Sequence, residues 1–150
     1  MITKNAKKSN EFFYQLFKTS KARELAREIN DYLYFESPYQ NEVEDYHERY
    51  KNGQRTDCIG YISKIGNYKF ATITVARKVC FVLHLGNKFH TERAIQMQKE
   101  IDELLKHNYQ STDNTKLTQG EVYIRLEWVE ELAQIKPFID EAYRLRLISM

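Results

Sequence analysis

Apolar side chains recur every three to four residues in the first part of the chain, which is the pattern of amphipathic helices. This spacing predicts one helix over residues 10–18 and a second over residues 20–35. The second helix should end before Ser37-Pro38, because a residue that precedes proline is pushed out of the helical region.

The next stretch, residues 39–57, is acidic and rich in tyrosine. Within it we predict a short exposed helix around Val43 to Tyr50, ended by Asn52-Gly53.

From Cys58 the period of the pattern changes to two, as in strands with one buried face. The most regular alternation comes later, where Val122, Ile124 and Leu126 are separated by polar side chains. The predicted strands are 58–65, 68–76, 79–85 and 121–127.

Helical spacing returns on either side of the last strand. We predict a helix over residues 91–107, a polar loop over 108–119, and a final helix from about Leu132. Pro137 lies inside that final pattern, so it should kink the helix or mark the first turn of a new segment.

Three strands joined by hairpins favour an antiparallel sheet, so the predicted class is α+β. We expect a mainly antiparallel four-stranded sheet with N-terminal helices and two further helices packed on it. A length of 150 residues fits a single domain over 1–150, with a helical part at 1–57 and a sheet-plus-helix core at 58–150.

Charge is distributed unevenly along the chain, although the net charge is only +2. Residues 58–91 carry five basic side chains and no acidic one. Two interpretations fit: the segment holds buried strands, which exclude acids, or it forms a basic binding hairpin. The basic residues are Lys64, Lys69, Arg77, Lys78 and Lys88.

The stretch from about Tyr61 to Arg146 resembles a bacterial domain family of unknown function that is labelled "predicted transport protein". The first block that carries the resemblance is residues 61–64, then Asn67 to Val75, a basic turn at Arg77-Lys78, and the alternating Val79, Phe81 and Leu83. The second is Gly120 to Leu126, followed by Glu131-Leu132, Ile135, Phe138-Ile139 and Ala142-Tyr143. Members of that family often accompany nuclease-like and restriction-associated segments, so the resemblance implies a role near nucleic-acid metabolism or phage defence. It implies no catalytic residue.

Several chemistries find no support in the residue pattern. Cys80 and His84 lie about 13 Å apart at the rise of a strand, too far to share a metal ion. The acid-free segment after Asp57 leaves no room for the acid-x-Lys pair of a restriction-type nuclease. We therefore predict no catalytic residue, no metal and no cofactor.

Our leading hypothesis is a non-enzymatic module that binds nucleic acid, or a partner that processes it, through the hairpin and the polar sheet face. Basic side chains can neutralise phosphates, and aromatic side chains can stack on nucleobases, and the segment offers both. The predicted nucleic-acid residues are Lys64, Tyr68, Lys69, Arg77, Lys78 and Lys88.

Two alternatives remain open. A protein-interaction or inhibitor module would use the Tyr-rich acidic segment 39–50, since tyrosine suits surfaces that are apolar on one side and wet on the other. Its residues would be Tyr39, Tyr46 and Tyr50. A small-ligand site would instead use the polar sheet face at His84, Tyr123 and Arg125.

Composition adds one expectation about location. The chain has no apolar run of the length that a membrane span needs and no apolar signal-peptide core. We expect a cytoplasmic protein without a membrane partner.

Overall fold

A computed structural model of the chain shows helices packed on one antiparallel sheet, so the α+β class is confirmed. Within the residues that the structure describes, the sheet has five strands rather than the four predicted. The structure describes residues 14, 17–47, 58–74, 80–86, 91–107, 109 and 120–148.

The predicted N-terminal helix at residues 10–18 lies almost wholly outside the described residues. The second helix is confirmed as α1 (Ser20–Phe35). Thr19 caps it, because its side chain accepts a hydrogen bond of 3.2 Å from the amide of Ala22. A single-turn helix, α2 (Tyr39–Glu42), follows and leads into the sheet.

All neighbouring strands of the sheet are antiparallel, and their spatial order is the same as their order in the chain. The strands are β1 (Val43–His47), β2 (Cys58–Ser63), β3 (Tyr68–Thr74), β4 (Cys80–His84) and β5 (Glu121–Arg125). The β2–β3 connection is a short turn, as the hairpin pattern of the sequence predicted, whereas the connection from β4 to β5 is long and contains a helix.

Strand β1 replaces the short helix that we predicted around Val43 to Tyr50. Val43 lies opposite Ser63, and His47 lies opposite Ile59. The prediction was wrong because Glu44 and Asp45 are of residue types that are depleted in strands, whereas pairing with a neighbouring strand decides the outcome at a sheet edge. The supposedly helical residues 1–57 thus also contribute a strand.

A bulge in β3 adds one more aromatic ring to the buried face of the sheet. Tyr61 pairs with Ala71 but the next residue, Ile62, pairs with Lys69, so Phe70 is the extra residue. Phe70 and Ala71 are both fully buried.

Helix α3 (Thr91–Leu105) packs beside β5, the last strand of the sheet. Its fully buried Gln98 lies against that edge. The Gln98 amide donates to the carbonyl of Tyr123 and accepts from the amide of Tyr123, both at 2.8 Å. One side chain thereby satisfies the main-chain groups that a further strand would otherwise bind.

The final helix, α4 (Lys136–Ile148), begins one residue before Pro137. Pro137 therefore lies in the first turn of α4, where the absence of a backbone N–H breaks no helical hydrogen bond. This is one of the two outcomes predicted from the sequence, the other being a kink. Helices α1, α3 and α4 bury their apolar sides against the same sheet face, which carries Ile73, Phe81, Leu83, Val122 and Ile124.

The carboxylate of Asp140 on α4 joins the N-terminal helices to the rest of the protein. It accepts hydrogen bonds from the hydroxyl of Tyr32 at 2.7 Å and from that of Tyr39 at 2.5 Å. The ring of Tyr39 also contacts Phe70 and Tyr143, with centroids 6.0 and 5.1 Å away. Residues separated by about a hundred positions in the chain thus share one aromatic cluster.

Candidate functional site

The sheet face opposite the buried one carries the predicted ligand residues. β5 pairs with β4, and the register places Tyr123 opposite Val82 and Arg125 opposite Cys80. His84 lies opposite Glu121 on the same face. The alternation in the sequence therefore located His84, Tyr123 and Arg125 correctly relative to one another.

Four side chains on this face form a continuous row of hydrogen bonds. The hydroxyl of Thr72 lies 2.9 Å from Nε2 of His84, and Nδ1 of His84 lies 3.2 Å from a carboxylate oxygen of Glu121. The hydroxyl of Tyr123 donates to the other oxygen of Glu121 at 2.9 Å. A neutral His84 satisfies both contacts when Nδ1 carries its proton and Thr72 donates to Nε2.

A hydroxyl, an imidazole and a carboxylate in this order also activate nucleophiles in acyl-transfer enzymes. Here the hydroxyl is poorly accessible, because Thr72 is only 8% exposed and its neighbour Val82 only 7%. We therefore interpret the row as a network that holds three strands together. Glu121 was missed as its centre, although the same alternation places it on this face.

Arg125 is likewise engaged within the protein. Its guanidinium donates to the carboxylate of Glu127 at 2.7 Å and lies 5.3 Å from the centre of the Trp128 ring. His107 stacks on the same ring at 4.5 Å, and Tyr109 stacks on Tyr123 at 5.3 Å. A ligand would have to compete with these contacts, so the geometry does not favour the small-ligand hypothesis.

The β2–β3 turn and the C-terminal part of α4 form a second candidate surface. The turn is tight: Asn67 has a positive φ of 58°, and its amide donates to the carbonyl of Ser63 at 2.7 Å. The Ser63 hydroxyl also accepts from the amide of Ile65 at 3.2 Å. We call this surface the turn patch: it consists of Lys64, Ile65, Tyr68, Lys69 and Arg146.

The turn patch combines exposed and positively charged groups. Tyr68 is 43% exposed and Ile65 62% exposed, and Lys64 is also exposed. The guanidinium of Arg146 lies 4.7 Å from the centre of the Tyr68 ring, and its Nε donates to the carbonyl of Lys69 at 3.1 Å. The sequence predicted Lys64, Tyr68 and Lys69 but missed Arg146, which is distant in the chain.

Only three of the six predicted nucleic-acid residues, Lys64, Tyr68 and Lys69, lie within the described residues. β3 runs from Tyr68 to Thr74, and Thr74 lies opposite Cys80, where β4 begins. The strand ends that flank residues 75–79 are therefore about 20 Å from the turn patch. The remaining predicted basic residues, Arg77, Lys78 and Lys88, lie outside the described residues.

The predicted protein-interaction surface loses one member, because Tyr39 is 1% exposed. Its hydroxyl faces Asp140, and burial together with that carboxylate raises the pKa of Tyr39 well above its usual range. Tyr39 is thus a core residue and a correction to the prediction. Tyr46 pairs with Gly60 in the sheet, while its side chain and the whole of Tyr50 lie outside the described residues.

The described part of the chain contains no group of three or more side chains arranged to hold a metal ion. None of the helices in that part is both long and apolar enough to cross a bilayer.

Comparisons with protein-family models, curated proteins and solved structures give no match to this chain. The resemblance to the "predicted transport protein" family therefore stays a prediction.

Proposed function

We propose that the protein is a non-enzymatic module that binds nucleic acid through the turn patch. The observation that carries the proposal is the contact of Arg146 with the half-exposed ring of Tyr68, beside Lys64 and Lys69. Cations attract the phosphate backbone, and an exposed aromatic ring offers a surface for sugars and bases. The family resemblance, with its nuclease-associated members, agrees with this class of ligand.

The tight turn favours binding because it fixes these groups before a ligand arrives. Asn67 and Ser63 hold the backbone between Lys64 and Tyr68, and the Arg146 side chain is held at both the ring and the Lys69 carbonyl. A site that is already ordered loses less conformational entropy on binding. Three cations that each contact one phosphate predict a slope of about −2.7 in a plot of log K against log salt for duplex DNA.

The test is fluorescence anisotropy with labelled single-stranded DNA, RNA and duplex DNA at several salt concentrations. Lys64→Glu/Lys69→Glu should lose most of the binding, because it replaces two attractive charges with two repulsive ones. The matched control is Lys21→Glu/Lys99→Glu, which makes the same change of net charge at exposed positions on α1 and α3.

The control should keep affinity within about threefold of the wild type, since neither Lys21 nor Lys99 belongs to the turn patch and salt at 0.1 M screens charges that do not contact the ligand. Equal losses in both variants would show a non-specific effect of net charge. Absence of salt-sensitive binding to any of the three nucleic acids would refute the proposal.

A further inference from the structure

The aromatic ring of Tyr68 distinguishes between classes of nucleic acid. Its residue is 43% exposed, although a tyrosine in a strand of an α+β protein usually packs on a neighbour. One face of the ring is held against the guanidinium of Arg146 at 4.7 Å, and that guanidinium is itself tied to the Lys69 carbonyl. Arg146 therefore fixes the orientation of the ring on one side, while much of Tyr68 remains exposed to solvent.

We infer that the turn patch binds single-stranded nucleic acid, with a base stacked on the ring of Tyr68. This inference rests on the proposed function and names its ligand class. Bases in a duplex are stacked on each other and offer only their edges in the grooves, whereas an unpaired base offers a free π face. The exposed ring of Tyr68 can therefore stack on a base of single-stranded nucleic acid but not on the bases of a duplex.

The neighbours of Tyr68 support the same class. Ile65 is 62% exposed in the adjacent turn, and an apolar side chain can cover the sugar or the edge of a stacked base. Lys64 directly follows Ser63, which lies opposite Tyr68, and Arg146 lies against the ring, so phosphates next to the stacked nucleotide have a cation within reach. Stacking of this kind is tolerant of sequence, because every base has a π face.

The test compares Tyr68→Ala with Tyr68→Phe on single-stranded and duplex oligonucleotides of equal length, at one salt concentration. Tyr68→Ala should weaken single-strand binding about 5- to 150-fold, the range expected for losing one stacked base, and change duplex binding less than threefold. Tyr68→Phe keeps the ring and should stay within about threefold of the wild type on both ligands. Circular dichroism and thermal unfolding check that each variant is folded.

The outcomes separate this inference from the proposed function. Binding that depends on Lys64 and Lys69 but does not change in Tyr68→Ala, or that is tighter for duplex than for single strand, overturns the inference alone. Absence of binding to either ligand overturns both. Loss of single-strand binding in Tyr68→Ala and retention in Tyr68→Phe supports the stacked base.

Discussion

Gln98 gives the sharpest test of how the sheet edge is stabilised. The variant Gln98→Leu keeps the size and burial of the side chain but removes both hydrogen bonds to the main chain of Tyr123. Because Gln98 is completely buried, no water molecule can easily take over these contacts. The amide and the carbonyl of Tyr123 then lack partners.

The size of the effect follows from those two groups. A buried donor or acceptor left without a partner costs about 1–3 kcal/mol, and the added apolar surface of leucine offsets part of that loss. We expect the free energy of unfolding to fall by about 2–4 kcal/mol, which lowers Tm by about 4–16 °C in a chain of this length.

Urea unfolding followed through the fluorescence of Trp128, the only tryptophan, measures this loss. The control is Gln96→Leu, the same substitution on the exposed side of the same helix, which should change stability by less than about 0.5 kcal/mol. Hydrogen exchange adds a local readout, since the Tyr123 amide should exchange faster in Gln98→Leu. A variant as stable as the wild type, with an equally protected Tyr123 amide, would refute the reasoning.

Two further predictions concern the aromatic cluster. Burial and a hydrogen bond to a carboxylate raise the pKa of Tyr143 to about 12, so the stability that it contributes is complete below pH 10 and is lost as pH rises from 10 to 12. Tyr143→Phe should reduce the fall in unfolding free energy over that window, measured by urea titration, and an unchanged slope would contradict this. Asp140→Ala should cost about 2–4 kcal/mol, because it leaves the hydroxyls of Tyr32 and Tyr39 without their acceptor. Asp140→Asn keeps an acceptor oxygen and should cost less; equal losses in the two variants would show that packing rather than hydrogen bonding is responsible.

Local patterns in the sequence predicted the elements whose own residues decide their structure. The alternation of residues 121–127 and the helical spacing of 20–35 each concern one element with one buried side. The helix is confirmed over its full length, and the strand is confirmed from Glu121 to Arg125, after which Leu126 begins a 3-10 turn. β1 could not be predicted in this way, since Glu44 and Asp45 disfavour a strand and only pairing with β2 makes one. The bulge at Phe70 was missed for the same reason, because register is a property of two strands together.

The residues of the candidate sites likewise fall into those that local patterns predict and those that depend on packing between distant elements. That His84 and Tyr123 share a sheet face follows from a period of two and from the pairing of neighbouring strands. The position of Arg146 over Tyr68 follows from how α4 packs on the sheet, which no local pattern encodes. The burial of Tyr39 depends on Asp140, a hundred residues away, so a tyrosine in an acidic segment resembled a surface residue.

The contacts of α4 with the first helices also bear on how short the chain can become and still close its core. A chain that shares only the stretch from Tyr61 to Arg146 would keep Asp140 and Tyr143 but lack the hydroxyls and carboxylate that bind them, which come from Tyr32, Tyr39 and Glu42. The apolar surface that α1 covers would be open to water as well. A chain cut back to that stretch would therefore need another segment to close the same side of the core.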